Sequence, residues 1–148
     1  MIAVDTNILV YAHDARDVRK QTIAAKLIEG LTEGVLLWQV ACEFLAASRK
    51  LAPQGHSLAD AKAALRDLQD AWIETSPAWS ALDVAVELIS SNSLSFWDGL
   101  LAAACEQAGV TLLYSEDLGG QPSLLGVEFI NPFVEPLRRS GLRTQLPS

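Results

Sequence analysis

IAVDTNILVYA, residues 2–12, sets an apolar run on either side of three polar residues, Asp5, Thr6 and Asn7. Ile2-Ala3-Val4 fits a buried parallel strand, and Ile8-Leu9-Val10-Tyr11 begins a short helix. The polar triplet falls at the junction, where a strand ends and a helix needs an N-cap. A buried carboxylate without a partner is expensive. Asp5 therefore either caps the helix or holds something positive, and the rest of the chain has to decide between these.

Beyond this junction the pattern repeats. Apolar residues at helical spacing run from Lys20 to Glu33, closed by Gly34, and Val35 to Trp38 reads as a second strand. Helical spacing returns from Gln39 to Leu51, before Pro53-Gln54-Gly55 breaks the chain. Ser57 and Asp60 form a capping-box pair ahead of a helix over Leu58 to Asp70. Ile73 to Thr75 is a short strand, and helices follow over Trp79 to Ile89 and Trp97 to Ala108, with Ser90 to Ser93 as a polar loop between them. Val110 to Tyr114 is the clearest strand. A loop with three glycines spans Ser115 to Gly126, and Val127 to Ile130 is the last strand, closed by Asn131-Pro132-Phe133. Strands alternating with helices predict a parallel sheet covered on both faces.

The 148 residues suit one domain, and 50% hydrophobic content supports a sizeable core. We expect a single domain over 1–134 and a basic, mobile tail over 135–148 carrying Arg138, Arg139 and Arg143. Eleven basic against eighteen acidic residues give a formal charge of −7. That balance argues against binding nucleic acid through a general electrostatic blanket, but not against a nuclease whose metal ions offset the acids. Cys42 and Cys105 stand alone, without a CxxC or Cys/His cluster, and read as buried free thiols rather than zinc ligands. No apolar run spans a bilayer and no secretory leader is present, so a soluble cytoplasmic protein without membrane contact is expected.

In open parallel sheets chemistry gathers at the carboxyl ends of the strands. Asp5 follows the first strand. Glu43 lies early in the helix after the second and shares a face with Gln39. Asp98 lies in the first turn of the helix beginning near Phe96, and Asp117 follows the TLLY strand. Each has an ordinary explanation: Asp5 or Asn7 as a cap, Glu43 as a solvated helix residue, Asp98 as the partner of Ser95 in a capping box, Asp117 as a turn residue before Gly119-Gly120. The functional case rests on all four falling at one pole of the fold. Two carboxylates about 4 Å apart repel by roughly 4 kcal/mol at an effective dielectric near 20. Such a group raises its own pKa values or recruits cations. Oxygen donors without histidine or thiolate select magnesium or manganese, as one or two ions. The matching chemistry is in-line hydrolysis of a phosphodiester. Thr6 and Ser115 are placed to donate to carboxylate or phosphate oxygens, and Asn7 to orient Asp5.

VDTNILVYA, QVACEF, SFWDGLLAAACEQAG and LLYSEDL, in that order, resemble the PIN domain, in particular the VapC-type toxins of bacterial toxin–antitoxin pairs. The resemblance runs from Ile2 to about Phe133. It implies an α/β/α sandwich around a mostly parallel sheet and a magnesium- or manganese-dependent endoribonuclease. The family's acidic quartet falls on Asp5, Glu43, Asp98 and Asp117, with Asp5 and Asp98 as principal metal ligands, and its hydroxyl positions fall on Thr6 and Ser115. Glu116 competes with Asp117 for the last place. The resemblance further implies an RNA substrate, a small antitoxin that plugs the acidic site, and a homodimer.

Other readings stay open. A PIN nuclease in RNA processing would have no antitoxin, and an interaction module would keep the fold without cleaving. An aspartyl phosphatase wants a second Asp where Asn7 stands, and the GxxxxGK[ST] loop of a P-loop enzyme is absent. Trp38, Trp72, Trp79, Phe96 and Trp97 could serve interfaces but read mainly as core. Tyr11 reads as packing and His13 as solvated. Arg16, Arg19, Lys20, Arg49 and Lys50 are the candidates for phosphate contacts.

Overall fold

The computed structural model describes residues 1–134. The expected tail, with Arg138, Arg139 and Arg143, lies outside the described residues. Five strands form one sheet: β1 (Ile2–Val4), β2 (Gly34–Leu37), β3 (Ile73–Thr75), β4 (Leu112–Tyr114) and β5 (Glu128–Ile130). The order is β3-β2-β1-β4-β5, and every pairing is parallel. The chain steps from β1 outward to β3, then returns to the far side of β1 and steps outward again to β5. The order therefore reverses between β1 and β4, and that is where an open parallel sheet leaves a crevice.

Six α-helices connect the strands: α1 (Thr6–Ala12), α2 (Val18–Gly30), α3 (Trp38–Ala47), α4 (Leu58–Ala71), α5 (Ser80–Ser91) and α6 (Phe96–Gln107). Helix α1 packs against both α2 and α3, and α3 against α4, whereas α5 and α6 pack together. Right-handed crossovers in opposite directions place these two groups on opposite faces of the sheet. The three-layer α/β/α architecture expected from the alternation is thus the one found. Between the layers the central strands are apolar throughout, and Val4, Ile8, Leu9, Leu27, Val35, Leu37, Phe44, Leu113 and Tyr114 are fully buried. Each such aliphatic side chain contributes about 1.5–3 kcal/mol.

Local chemistry explains where the elements begin and end. Ser57 and Asp60 complete a reciprocal capping box at the start of α4. Gly109, at φ 74°, stops α6. Val110 N–H then returns to the carbonyl of Cys105, so Val110 belongs to the helix end and β4 starts only at Leu112. Gly34 does not end α2, which stops at Gly30. It is instead a buried residue of β2, pressed against the Trp72 indole. Trp38 opens α3 rather than closing β2, and α3 passes at Ser48 into a 3-10 segment, Ser48–Gln54, that contains Pro53.

Several side chains sit otherwise than their sequence suggests. Cys105 is buried, and burial pushes its thiol up to about 12, but Cys42 is exposed. It lies on a face of α3 that the apolar spacing does not distinguish from the covered one. Trp72 is core, with its indole N–H donating to the Leu31 carbonyl at 3.0 Å. Phe96 is half-buried, whereas Trp38, Trp79 and Trp97 are exposed. His13 is half-buried rather than fully solvated: its ring meets those of Phe44 and His56, with centroids 5.9 and 4.7 Å away. Burial lowers its pKa, helped by the neighbouring His56.

Candidate active site

The polar triplet of the opening junction connects to three different partners. Asp5 caps α1, accepting from Thr6 N–H at 2.7 Å, and takes a second bond at 2.7 Å from the Ser115 hydroxyl just beyond β4. The Thr6 hydroxyl donates to Glu43 Oε2 on α3 at 3.1 Å. Asn7, expected to orient Asp5, is turned to the loop after β4 instead: its Nδ2 donates to Asp117 Oδ2 at 3.3 Å, and its Oδ1 accepts from the Glu116 N–H. Ser115 in turn accepts from Leu118 N–H, which anchors the loop after β4. The two explanations offered for Asp5 are therefore compatible, since it caps a helix and faces a cleft.

That cleft, of about 390 Å³, is lined by Asp5, Thr6, Asn7, Glu43, Asp98 and Asp117 together with Gln39, Trp97, Arg16 and Lys50. It opens at the carboxyl edge of the sheet, at the β1–β4 crevice. The four predicted acidic residues, separated by up to 112 positions, thus share one cavity, and Asp14 is a fifth acid in its lining. Ser95 caps α6 and accepts from Asp98 N–H, which leaves the Asp98 carboxylate available to the cleft. Gln39 joins two elements here: its Nε2 donates to Glu43 Oε1 at 2.8 Å and to the Trp97 carbonyl at 3.2 Å.

Asp5 is the electrostatic centre. It is 7% exposed. Burial pushes its pKa up to about 6, against the opposing pull of Ser115 and Thr6, and Glu43 and Asp117 push in the same direction as burial. A nearby cation would relieve this. The donor set fits a hard ion: every acidic ligand offers oxygen, and Gln39 Oε1 is buried without a hydrogen-bond partner among the described residues. The acids nonetheless do not form a closed cage. Among the described residues no three Asp, Glu, His or Cys side chains converge tightly enough to hold an ion. Asp5, Glu43 and Asp117 are each drawn toward a protein donor instead.

Glu116 stands apart from this set. It does not line the cleft: it pairs with Lys20 and accepts from the hydroxyl of Tyr11, which does, at 2.8 Å. The Lys20 ammonium lies 4.7 Å from the Tyr11 ring centroid, and Tyr11 meets Phe133 edge-on. Tyr11 therefore packs and also hydrogen-bonds. Of the candidate phosphate contacts, Arg16 and Lys50 line the cleft. Lys20 is engaged with Glu116, and Arg19 donates to the Phe133 carbonyl. The sequence reading missed Asp14, which is buried, grips Arg16 through both carboxylate oxygens and also accepts from Gln54. Arg16 holds the Asp14 carboxyl well below the usual carboxylate range. The only available signal was the Asp-x-Arg spacing, which is common in loops.

The PIN domain family model matches residues 2–119. No curated protein matches the chain significantly. Three solved structures share the fold. The VapC20 toxin of Mycobacterium tuberculosis, described as cleaving the sarcin-ricin loop, is 22% identical at TM-score 0.61, covering 76% of this chain and 87% of that one. A toxin–antitoxin complex from Klebsiella pneumoniae is 16% identical at TM-score 0.65, covering 89% and 98%. VapBC2 of Rickettsia felis, bound to a promoter DNA fragment, is 14% identical at TM-score 0.61, covering 87% and 97%. With the model matched across most of its described length and the sheet order in place, the chain belongs to the PIN domain family of nucleases.

Proposed function

We propose that the protein is a metal-dependent endoribonuclease, the toxin of a toxin–antitoxin pair, and that Asp5, Glu43, Asp98 and Asp117 form its catalytic site. The observation that carries this reading is that these four acidic residues, from four separate stretches of the chain, line one cleft at the reversal point of the sheet. Asp5 and Asp98 are the principal ligands for magnesium or manganese, and Glu43 and Asp117 complete the set. A divalent ion bound there supplies a water of lowered pKa and neutralises charge on the scissile phosphate. The chain's own residues do the positioning. Ser115 and the Thr6 amide fix both oxygens of Asp5, the Thr6 hydroxyl and Gln39 hold Glu43, and Asn7 holds Asp117. Because Glu116 is turned to Lys20, Asp117 is the better candidate for the fourth place.

The antitoxin partner is supported by the structural neighbours, two of which are toxin–antitoxin complexes. A homodimer is supported by Trp79, Leu82 and Val86, exposed apolar residues at helical spacing along α5. Among the described residues no helix is long and apolar enough to cross a membrane. The test is cleavage of RNA with magnesium or manganese, with Asp5→Asn and Asp98→Asn as controls. Each substitution is expected to lower cleavage by about 100-fold or more while the protein stays folded. Undiminished cleavage in both variants would remove the site assignment. Absence of metal-dependent cleavage in the parent protein would favour an interaction module.

A further inference from the structure

The amide of Gln39 stands between two helical layers. Its Nε2 donates to Glu43 Oε1, one turn along α3, at 2.8 Å and to the Trp97 carbonyl, in the first turn of α6, at 3.2 Å. Helix α3 belongs to the layer on one face of the sheet and α6 to the layer on the other. Asp98 follows Trp97 directly. One side chain thus links the helix that carries Glu43 to the turn that carries Asp98, and all three residues line the cleft. A carboxylate and a carbonyl can only accept, so the nitrogen end of the amide must face them and its orientation is set.

That orientation has a cost. Gln39 is 8% exposed, and its Oε1 is closed to solvent without a hydrogen-bond partner among the described residues. A buried acceptor left open destabilises a fold and calls for an explanation. A methionine would fill the same space without the open oxygen. A lysine would satisfy both acceptors, but its charge would cancel part of the negative potential that draws a divalent ion. The amide is a neutral donor: it holds both elements and leaves the charges of Glu43 and Asp98 in place. Carboxylates on separate layers repel one another, and ordering them only when an ion arrives weakens its binding.

We propose that Gln39 is a positioning residue, tying Glu43 to the first turn of α6 and so presetting the separation at which Glu43 and Asp98 meet a divalent ion. This rests on reading the acids of the cleft as metal ligands. In this role Gln39 acts through the two acids rather than as a ligand itself.

The experiment measures manganese binding to the full chain by electron paramagnetic resonance, without RNA, in the parent, Gln39→Met and Gln39→Asn. Methionine keeps the length and loses the donor, whereas asparagine keeps the amide and loses the reach. Each variant should bind manganese roughly 10- to 100-fold more weakly than the parent, the range seen when groups that orient metal ligands are replaced. In EDTA, Gln39→Met should melt within about 4 °C of the parent, because removal of the open oxygen offsets the lost bonds. In a Glu43→Gln background, Gln39→Met should weaken binding by no more than about 2-fold further, since the acid it holds is no longer a ligand. In RNA cleavage, excess manganese should restore kcat in Gln39→Met, and KM for RNA should not change. Unchanged manganese affinity in either single variant would overturn the inference. So would an undiminished loss in the Glu43→Gln background, or a Gln39→Met protein that melts far below the parent while its folded fraction binds manganese normally, which would make Gln39 a purely structural residue. If the parent binds manganese no better than Asp98→Asn does, the metal-site reading fails and the inference falls with it. If manganese binding follows the expected pattern but no RNA is cut, the ribonuclease reading fails alone.

Discussion

The Ser115 hydroxyl donates to Asp5 Oδ2 at 2.7 Å, joining the carboxyl ends of β1 and β4 across 110 residues of chain. The backbone repeats the link, since Asp5 N–H donates to the Tyr114 carbonyl. The hydroxyl therefore does more than complete a turn. It supplies one of two bonds that keep a buried carboxylate in place, and the following predictions begin from it.

Removing the hydroxyl, Ser115→Ala, leaves Asp5 Oδ2 and Leu118 N–H without their partner. A buried group left unsatisfied costs about 1–3 kcal/mol. Stability at neutral pH should fall by that amount in urea titrations. The bond also lowers the Asp5 pKa, so the acid limb of the cleavage pH profile should move to higher pH. An unmoved limb would mean that Asp5 ionisation does not govern it.

Asp5 itself should oppose stability in the metal-free protein. Its folded-state pKa of about 6 lies above the ordinary 3.8, so the folded protein holds the proton more tightly than the unfolded chain does. The stabilising effect of that proton is complete below about pH 4 and is lost as pH rises through about 6. A shift of this size corresponds to roughly 3 kcal/mol at most. Asp5→Asn should therefore be more stable than the parent at about pH 7.5 in EDTA, and the gain should vanish near pH 4. Magnesium or manganese should raise the parent's melting temperature and leave the variant's unchanged.

The Lys20–Glu116 pair holds the loop that carries Asp117. Both side chains are about one quarter exposed. Solvent screening keeps the expected coupling near 0.5 kcal/mol in a double-mutant cycle with Lys20→Met and Glu116→Gln. The larger consequence is kinetic. Freed from Lys20, Glu116 no longer anchors the loop, and kcat in Lys20→Met should fall several-fold with little change in KM. A pure KM effect would identify Lys20 as a substrate contact instead.

Gly34→Ala should destabilise without touching catalysis. A Cβ at this position would be driven into the Trp72 indole, whose N–H is committed to Leu31. Overpacking of this kind costs about 1–3 kcal/mol. Lower yield with normal specific activity of the folded fraction is expected, and a smaller Trp72→Leu side chain should restore stability in the double variant.

Gly34 also shows where the sequence misleads. Following an apolar helical stretch, it reads as a helix stop, but its lack of a side chain serves a close approach between β2 and Trp72 that no local pattern reveals. The strand–helix alternation, the Ser57–Asp60 capping box and the Gly109 stop were legible because each depends on neighbours in the chain. Asp5 and Asp117 could be placed at one edge because each follows a strand, and Glu43 because it lies in the helix after one; Asp98, opening α6 directly after α5, carried no such signal. Exposure was not legible either. Periodicity groups Trp38, Trp79, Trp97 and Cys42 with apolar faces but does not say which faces another layer covers. It does show the Gln39–Glu43 pair, four residues apart on one helix, but not that Asp5, Glu43 and Asp117 are tethered to Ser115, Thr6 and Asn7, contacts set by three-dimensional proximity.

The reversal of strand order between β1 and β4 has a consequence in time as well as space. Asp5 is made 110 residues before Ser115 and 112 before Asp117, and β5 must still dock outside β4 after them. Until then the early acids have no partner edge to complete. A chain whose β4 has not yet docked beside β1 therefore lacks the shared edge on which Asp5 meets Ser115, and with it the cleft that the four acids line.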